Sequence, residues 1–128
     1  MTTYAITIGG NGTESRAYEP GHAAQQLRLE PSADGSHHLI NPDGFVLTTV
    51  GDGSIMTSKS ATDGSGSISF EVQQQGDGTV RIKAGYYNLW VQLTGYDVKT
   101  VQWDPNSPYQ KLTQRDEGNG YYAFTVDL

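Results

Sequence analysis

Phe70-Glu-Val-Gln-Gln-Gln-Gly-Asp-Gly-Thr-Val-Arg-Ile-Lys83 runs from one apolar residue through six spacers to Asp77-Gly78, and then alternates apolar Val80 and Ile82 with polar neighbours. Asp-Gly supplies the positive φ that a tight hairpin turn needs, and the alternation after it gives a strand one inward face. The segment therefore reads as strand, turn, strand. The same count holds from Leu27 to Asp34-Gly35 and from Leu112 to Asn119-Gly120, so the three anchors lie 43 and 42 residues apart. A glycine-rich chain can match such a unit once by chance. Three matches in register point to an internal repeat.

A second register supports the first. Tyr4-Ala-Ile-Thr-Ile8, Val46-Leu-Thr-Thr-Val50 and Leu89-Trp-Val-Gln-Leu93 read as strands, and each begins 23 or 24 residues before the next anchor. Further strands are expected at Val98–Trp103, at Ser54–Thr57 and, with the poorest pattern, at Thr13–Tyr18. Turn formers follow at Glu19–His22, Thr62–Ser67 and Asp104–Pro108. Only His22–Leu27 could start a helix, and it is too short to persist. Counting from Phe124 through the chain end to Tyr4 gives 8 residues, close to the 7 from Leu39 to Val46 and from Ile82 to Leu89. The repeat thus closes on itself, with the chain ends side by side and no free sheet edge. The expectation is one all-β domain over residues 1–128, with repeat breaks near 44 and 87 and a chain that starts and ends within one repeat.

Three units of about 42 residues, four strands each, with Gln-x-apolar opening the strand before the turn, resemble the β-trefoil and within it the ricin B-type lectins. Gln25-Gln-Leu27 and Gln110-Lys-Leu112 stand where that family has Gln-x-Trp, while Ile68-Ser-Phe70 lacks the Gln. Phe70–Lys83 also resembles the fascin-like trefoils. The resemblance implies a non-catalytic, multivalent carbohydrate-binding protein whose partners are glycans or glycoconjugates. Ricin-type lectins hold sugar hydroxyls with an Asp where this chain has Thr7, Thr49 and Gln92, so Gln92 is the candidate there and the usual galactose mode is not expected.

Composition narrows the function classes. The 128 residues contain no cysteine, which excludes a disulfide framework and thiolate chemistry. A net charge of −6 opposes bulk electrostatic binding to nucleic acid or an anionic membrane, and suits a neutral or cationic partner. No apolar run is long enough to span a bilayer and no leader pattern opens the chain. A soluble protein is expected, cytoplasmic or released without a signal peptide.

Trp103-Asp-Pro-Asn-Ser-Pro-Tyr-Gln110 places an aromatic ring, a carboxylate and amides in one loop. Rings stack on the C–H face of a pyranose, and acceptors and amides read its hydroxyls. Trp103, Asp104, Asn106 and Gln110 are therefore the leading site candidates. Tyr18, Glu19, His22 and Gln25 form a parallel set in the first copy, whereas Lys59–Asp63 in the second has no aromatic. A plain covering role for Trp103 is the competing reading. His22, His37 and His38 lack metal-ligand spacing, and the His37-His38 pair reads as one residue in and one out. Asp116–Asn119 reads as a turn, and Asn11-Gly-Thr13 as a turn that happens to match a glycosylation sequon. Tyr86, Tyr87 and Trp90 crowd one hairpin, with at least one of them expected in the core. No nucleophile and base, metal site or cofactor motif is present, so no enzyme is expected. The alternative function is a protein-binding trefoil, such as a protease inhibitor acting through Thr62–Ser67 or Asp104–Pro108.

Overall fold

The computed structural model describes residues 1–32, 35–61 and 67–128. The first third holds β1 (Thr3–Gly9), β2 (Gly12–Ala17), β3 (Leu27–Pro31) and β4 (His37–Ile40). Next come β5 (Phe45–Val50), β6 (Ile55–Ser60), β7 (Phe70–Gln74) and β8 (Thr79–Ala84). The last third holds β9 (Trp90–Leu93), β10 (Val98–Val101), β11 (Leu112–Gly118) and β12 (Tyr121–Asp127). Each sequence anchor opens a strand, and each Asx-Gly lies between that strand and its hairpin partner. The backbone demands those residues: Gly35 and Gly78 have positive φ, and Asn119 reaches φ 57 between two glycines of the same hand.

Six strands close a barrel. The hairpins β3–β4, β7–β8 and β11–β12 are joined through His37↔Phe70, Leu112↔Val80 and Tyr122↔Leu27. No barrel strand is left with an open edge. The other six form the hairpins β1–β2, β5–β6 and β9–β10. Each attaches to a barrel strand, at β12–β1, β4–β5 and β8–β9. The sequence anchors line the core directly: Leu27, Phe70 and Leu112 are wholly buried, as are Leu39, Ile82 and Phe124 on the strands after the turns. Full burial of such a side chain contributes about 1.5–3 kcal/mol. The chain ends meet as the closing count requires, with Thr2 and Leu128 exchanging two backbone hydrogen bonds of 2.8 Å.

Local structure departs from the sequence reading in five places. Thr13–Tyr18, the poorest pattern, lies largely in the full strand β2, because six register pairs with β1 hold it while its outer side faces solvent. Of Ser54–Thr57, Ile55–Thr57 is the start of a longer strand, β6, and Ser54 belongs to the turn before it. Trp103 lies beyond the end of β10, in the loop. A short 3₁₀ turn forms at Pro108–Gln110 as well as at Ala23–Gln25, with Ser107 Oγ accepting from the Tyr109 N–H at its start. His37 and His38 are both half-buried rather than one in and one out. Among the described residues no helix is long and apolar enough to cross a membrane.

Candidate binding site

The loop between β10 and β11 is shaped by Gln110, which is buried. Its Oε1 accepts from the Asp104 backbone N–H at 2.8 Å and its Nε2 donates to the Gln102 carbonyl at 2.8 Å. Gln25 does the same work in the first copy, accepting from the Glu19 N–H at 2.9 Å and donating to the Ala17 carbonyl at 3.0 Å and to Thr7 Oγ1. Both side chains therefore hold the loops that carry the other candidates. The second copy, without the Gln, uses a backbone bridge instead: Thr49 and Ser67 exchange hydrogen bonds of 2.8 and 2.9 Å.

Once its loop is fixed, Trp103 leans on Trp90, with ring centroids 5.5 Å apart and planes tilted by 54°. The Arg81 guanidinium caps both rings, its Cζ lying 4.4 Å from the Trp90 centroid and 4.6 Å from that of Trp103. Such cation–π contacts contribute about 0.5–2 kcal/mol each. Arg81 is held in turn by its Nε donating to Gln73 Oε1 across the β7–β8 pair at 3.1 Å. Trp90 is buried, Trp103 and Tyr87 are half-buried, and Tyr86 is 76% exposed. These rings line an open cleft of about 900 Å³, together with Asp52, Asn88, Leu89 and Gln102.

Asp52 reaches the cleft because its turn is pinned there. Gly53 has φ +90 and lies so close beneath the Tyr87 ring that a Cβ would sit 2.4 Å from it. The Tyr87 hydroxyl donates to the Gly51 carbonyl at 3.2 Å, and Thr100 Oγ1 donates to that of Gly53. Hydrogen bonds from the Ser54 hydroxyl and N–H hold the Asp52 carboxyl below its ordinary pKa, so the cleft keeps a negative charge at neutral pH. The cleft thus offers aromatic faces, a carboxylate and amides.

The other candidates are dispersed. Asp104 and Asn106 are exposed and bonded to each other, the Asn106 N–H donating to Asp104 Oδ1 at 2.9 Å, and neither lines the tryptophan cleft. Gln92 is half-buried on β9 and also lies outside it. In the first copy, Tyr18 donates to Glu117 Oε2 at 2.9 Å, with Arg115 Cζ 5.0 Å over its ring. Burial, and then that hydrogen bond, raise its phenol pKa. His22 instead lines a separate groove of about 220 Å³ with Glu14, Arg16 and Thr7, and Glu19 is exposed. The first-copy set is therefore split between two places.

One arrangement escaped the sequence reading. Tyr18 and Trp103 each stand 7 residues before their Gln, and each ring is met by an arginine of a barrel hairpin, Arg115 of β11–β12 for Tyr18 and Arg81 of β7–β8 for Trp103. Arg81 pairs across strands with Gln73, and Arg115 pairs with Ala123, so the same cross-strand position supplies the cation from opposite strands. The second copy has Ala61 for the ring and Glu30↔His38 for the pair. Arg81, Asp52, Asn88 and Gln102 had no motif to mark them. The visible signal was the aromatic run at 86–90.

The architecture is that of a β-trefoil-like, all-β protein. Similar folds are found in the crystal structure of ThreeFoil, a designed 3-fold symmetric protein (TM-score 0.63, 18% identity, covering 98% of this chain and 99% of that one). The Haemophilus ducreyi cytolethal distending toxin is similar over 99% of this chain and 85% of that chain, with a TM-score of 0.66 and 15% identity. The corresponding toxin from Actinobacillus actinomycetemcomitans gives 0.59 and 14% over 96% and 90%. No protein-family model and no curated protein matches the chain.

Proposed function

We propose that this protein binds carbohydrate without catalysis, and that its principal site is the cleft built on Trp90 and Trp103. The observation that carries this reading is the half-buried Trp103 ring, clamped by Arg81 and Trp90 at the edge of a cleft that also holds Asp52, Asn88 and Gln102. A ring held rigidly before binding loses little entropy on stacking against a sugar, and the polar groups around it can read hydroxyls. The partners are glycans or glycoconjugates. The likeness to ricin B-type and fascin-like trefoils belongs to this proposal, as does a single domain of three four-strand repeats over residues 1–128; the paired Gln25 and Gln110 clamps support both.

The test is Trp103→Ala, measured for glycan binding and thermal stability together. We expect affinity to fall by about 1–3 kcal/mol, roughly 5- to 150-fold. Stability should fall by only about 1–2 kcal/mol, because the ring is half-exposed. A glycan array on which neither the parent protein nor the variant scores would overturn the proposal. Tyr18→Ala should weaken multivalent binding in the same direction and by less, since the Tyr18 hydroxyl is already engaged by Glu117; an effect larger than that of Trp103→Ala would move the principal site to the first copy.

A second reading rests on the exposed residues 104–106, which the Gln110 clamp and the 3.0 Å bond from the Ser107 N–H to the Asp104 carbonyl hold in one shape. A rigid, protruding loop suits a protease inhibitor. Inhibition of a protease panel, lost on substitution of Asn106, would favour it over the lectin. The other loop considered for that role, Thr62–Ser67, lies outside the described residues except for Ser67.

A further inference from the structure

A second aromatic cleft lies away from the tryptophans. Tyr4 from β1, Gly95 and Tyr96 from the β9–β10 turn, Tyr109 from the 3₁₀ turn and Leu128 enclose about 290 Å³. None of these residues belongs to the tryptophan cleft. The geometry points to a saccharide-binding site here, and we propose that it takes one or two rings of a neutral sugar.

Three observations carry the proposal. The first is that Tyr96 is 95% exposed, yet its turn is fixed: the N–H groups of Tyr96 and Asp97 both donate to Thr94 Oγ1 at 3.1 Å, and that hydroxyl donates to Asp97 Oδ1. The ordered turn fixes where the Tyr96 side chain leaves the backbone and presents its ring to solvent, open to a ligand. The second is that the floor is a ring as well. Gly95 passes so close to Tyr4 that a Cβ would lie 3.3 Å from its ring, so the absence of a side chain leaves that ring in reach. The third is the chemistry of the wall. The phenol hydroxyls of Tyr4, Tyr96 and Tyr109 take no protein partner among the described residues, and no charged side chain lines the cleft. Ring faces for C–H groups and free hydroxyls for sugar hydroxyls match a neutral pyranose.

The volume, about 290 Å³, is close to the lower end of small-molecule sites, roughly 300–1,000 Å³, which suits one or two sugar rings. This site stands whether or not the tryptophan cleft takes sugar.

The two clefts can be read separately, because both tryptophans of the chain lie in the other one. Amide and indole resonances of the ¹⁵N-labelled protein would be followed during titration with cellotriose, maltotriose, N,N′,N″-triacetylchitotriose and lactose, in the parent and in Tyr96→Ala. We expect at least one sugar to shift the Gly95, Tyr96 and Leu128 amides, and Tyr96→Ala to weaken that response about tenfold while any indole shifts persist. Tyr96 is so exposed that the variant should stay folded, and unchanged amides elsewhere verify it. Shifts at the indoles and Asn88 alone would overturn this site and leave the principal proposal standing. Shifts at the tyrosine cleft alone would do the reverse. No shift in either cleft would overturn both. Broadening of the Gly95 and Tyr96 amides with protein concentration, without any sugar response, would assign the patch to self-association and overturn the proposal.

Discussion

Replacing Phe70 by alanine should lower folding stability by about 3–5 kcal/mol, the range for emptying a large aromatic site in a packed core. Phe70 is wholly buried, and its position makes it a joint as well as a filler. The junction between β4 and β7 rests on a single register pair, His37↔Phe70, while the same residue faces Ala84 across β7–β8. A cavity there removes side-chain contacts at the place where the barrel has the fewest backbone bonds to hold it. Urea unfolding of the purified variant is the measurement. A loss below about 1.5 kcal/mol would mean that the anchor position is not part of the barrel core.

Gln110→Leu should cost about 2–3 kcal/mol, although leucine nearly matches the volume and the position is buried. The loss comes from two backbone groups, the Asp104 N–H and the Gln102 carbonyl, that are left without their partner. Exposure of Asp104 lets water recover part of the first, which keeps the estimate below that for two fully buried orphans. Trp103 lies between those two residues, so the variant should also bind glycan more weakly than its stability loss alone would explain. The check is calorimetric unfolding beside affinity measured well below the unfolding transition. A variant as stable as the parent would show that the loop is held by its prolines and the Asp104–Asn106 turn instead.

The barrel was legible in the sequence because its determinants are local and repeated. Asx-Gly turns fix where the hairpins bend, and anchors 42 or 43 residues apart fix which strands share the core. The closing count from Phe124 to Tyr4 was met by the Thr2–Leu128 bonds. β2 was hard to see because none of its six residues is buried, so its sequence has no apolar face to alternate. The site was less legible. Trp103 stood out by residue type, but the cleft beside it draws on Asp52, 51 residues earlier, and on Arg81 across the β8–β9 junction. Only the closed fold brings these together. The glutamines stand out by their place in a motif, whereas their partners, backbone groups flanking their loops and Thr7 Oγ1 for Gln25, follow only from the fold.

The pairing of β1 with β12 also bears on how the native state opens. Thr3 and Asp127, bonded through their side chains, lie 124 positions apart in the chain, so this contact closes nearly the whole molecule into a ring. Few local contacts can form it early, and loop-closure entropy opposes it until the rest of the barrel is in place. Yet both strands carry wholly buried residues, Ala5 and Ile6 on one side and Phe124 on the other, so the seam cannot fray like a free terminus. Its amide protons are protected by the cooperative unit as a whole, and their slow exchange with solvent would track global unfolding rather than motion of the ends.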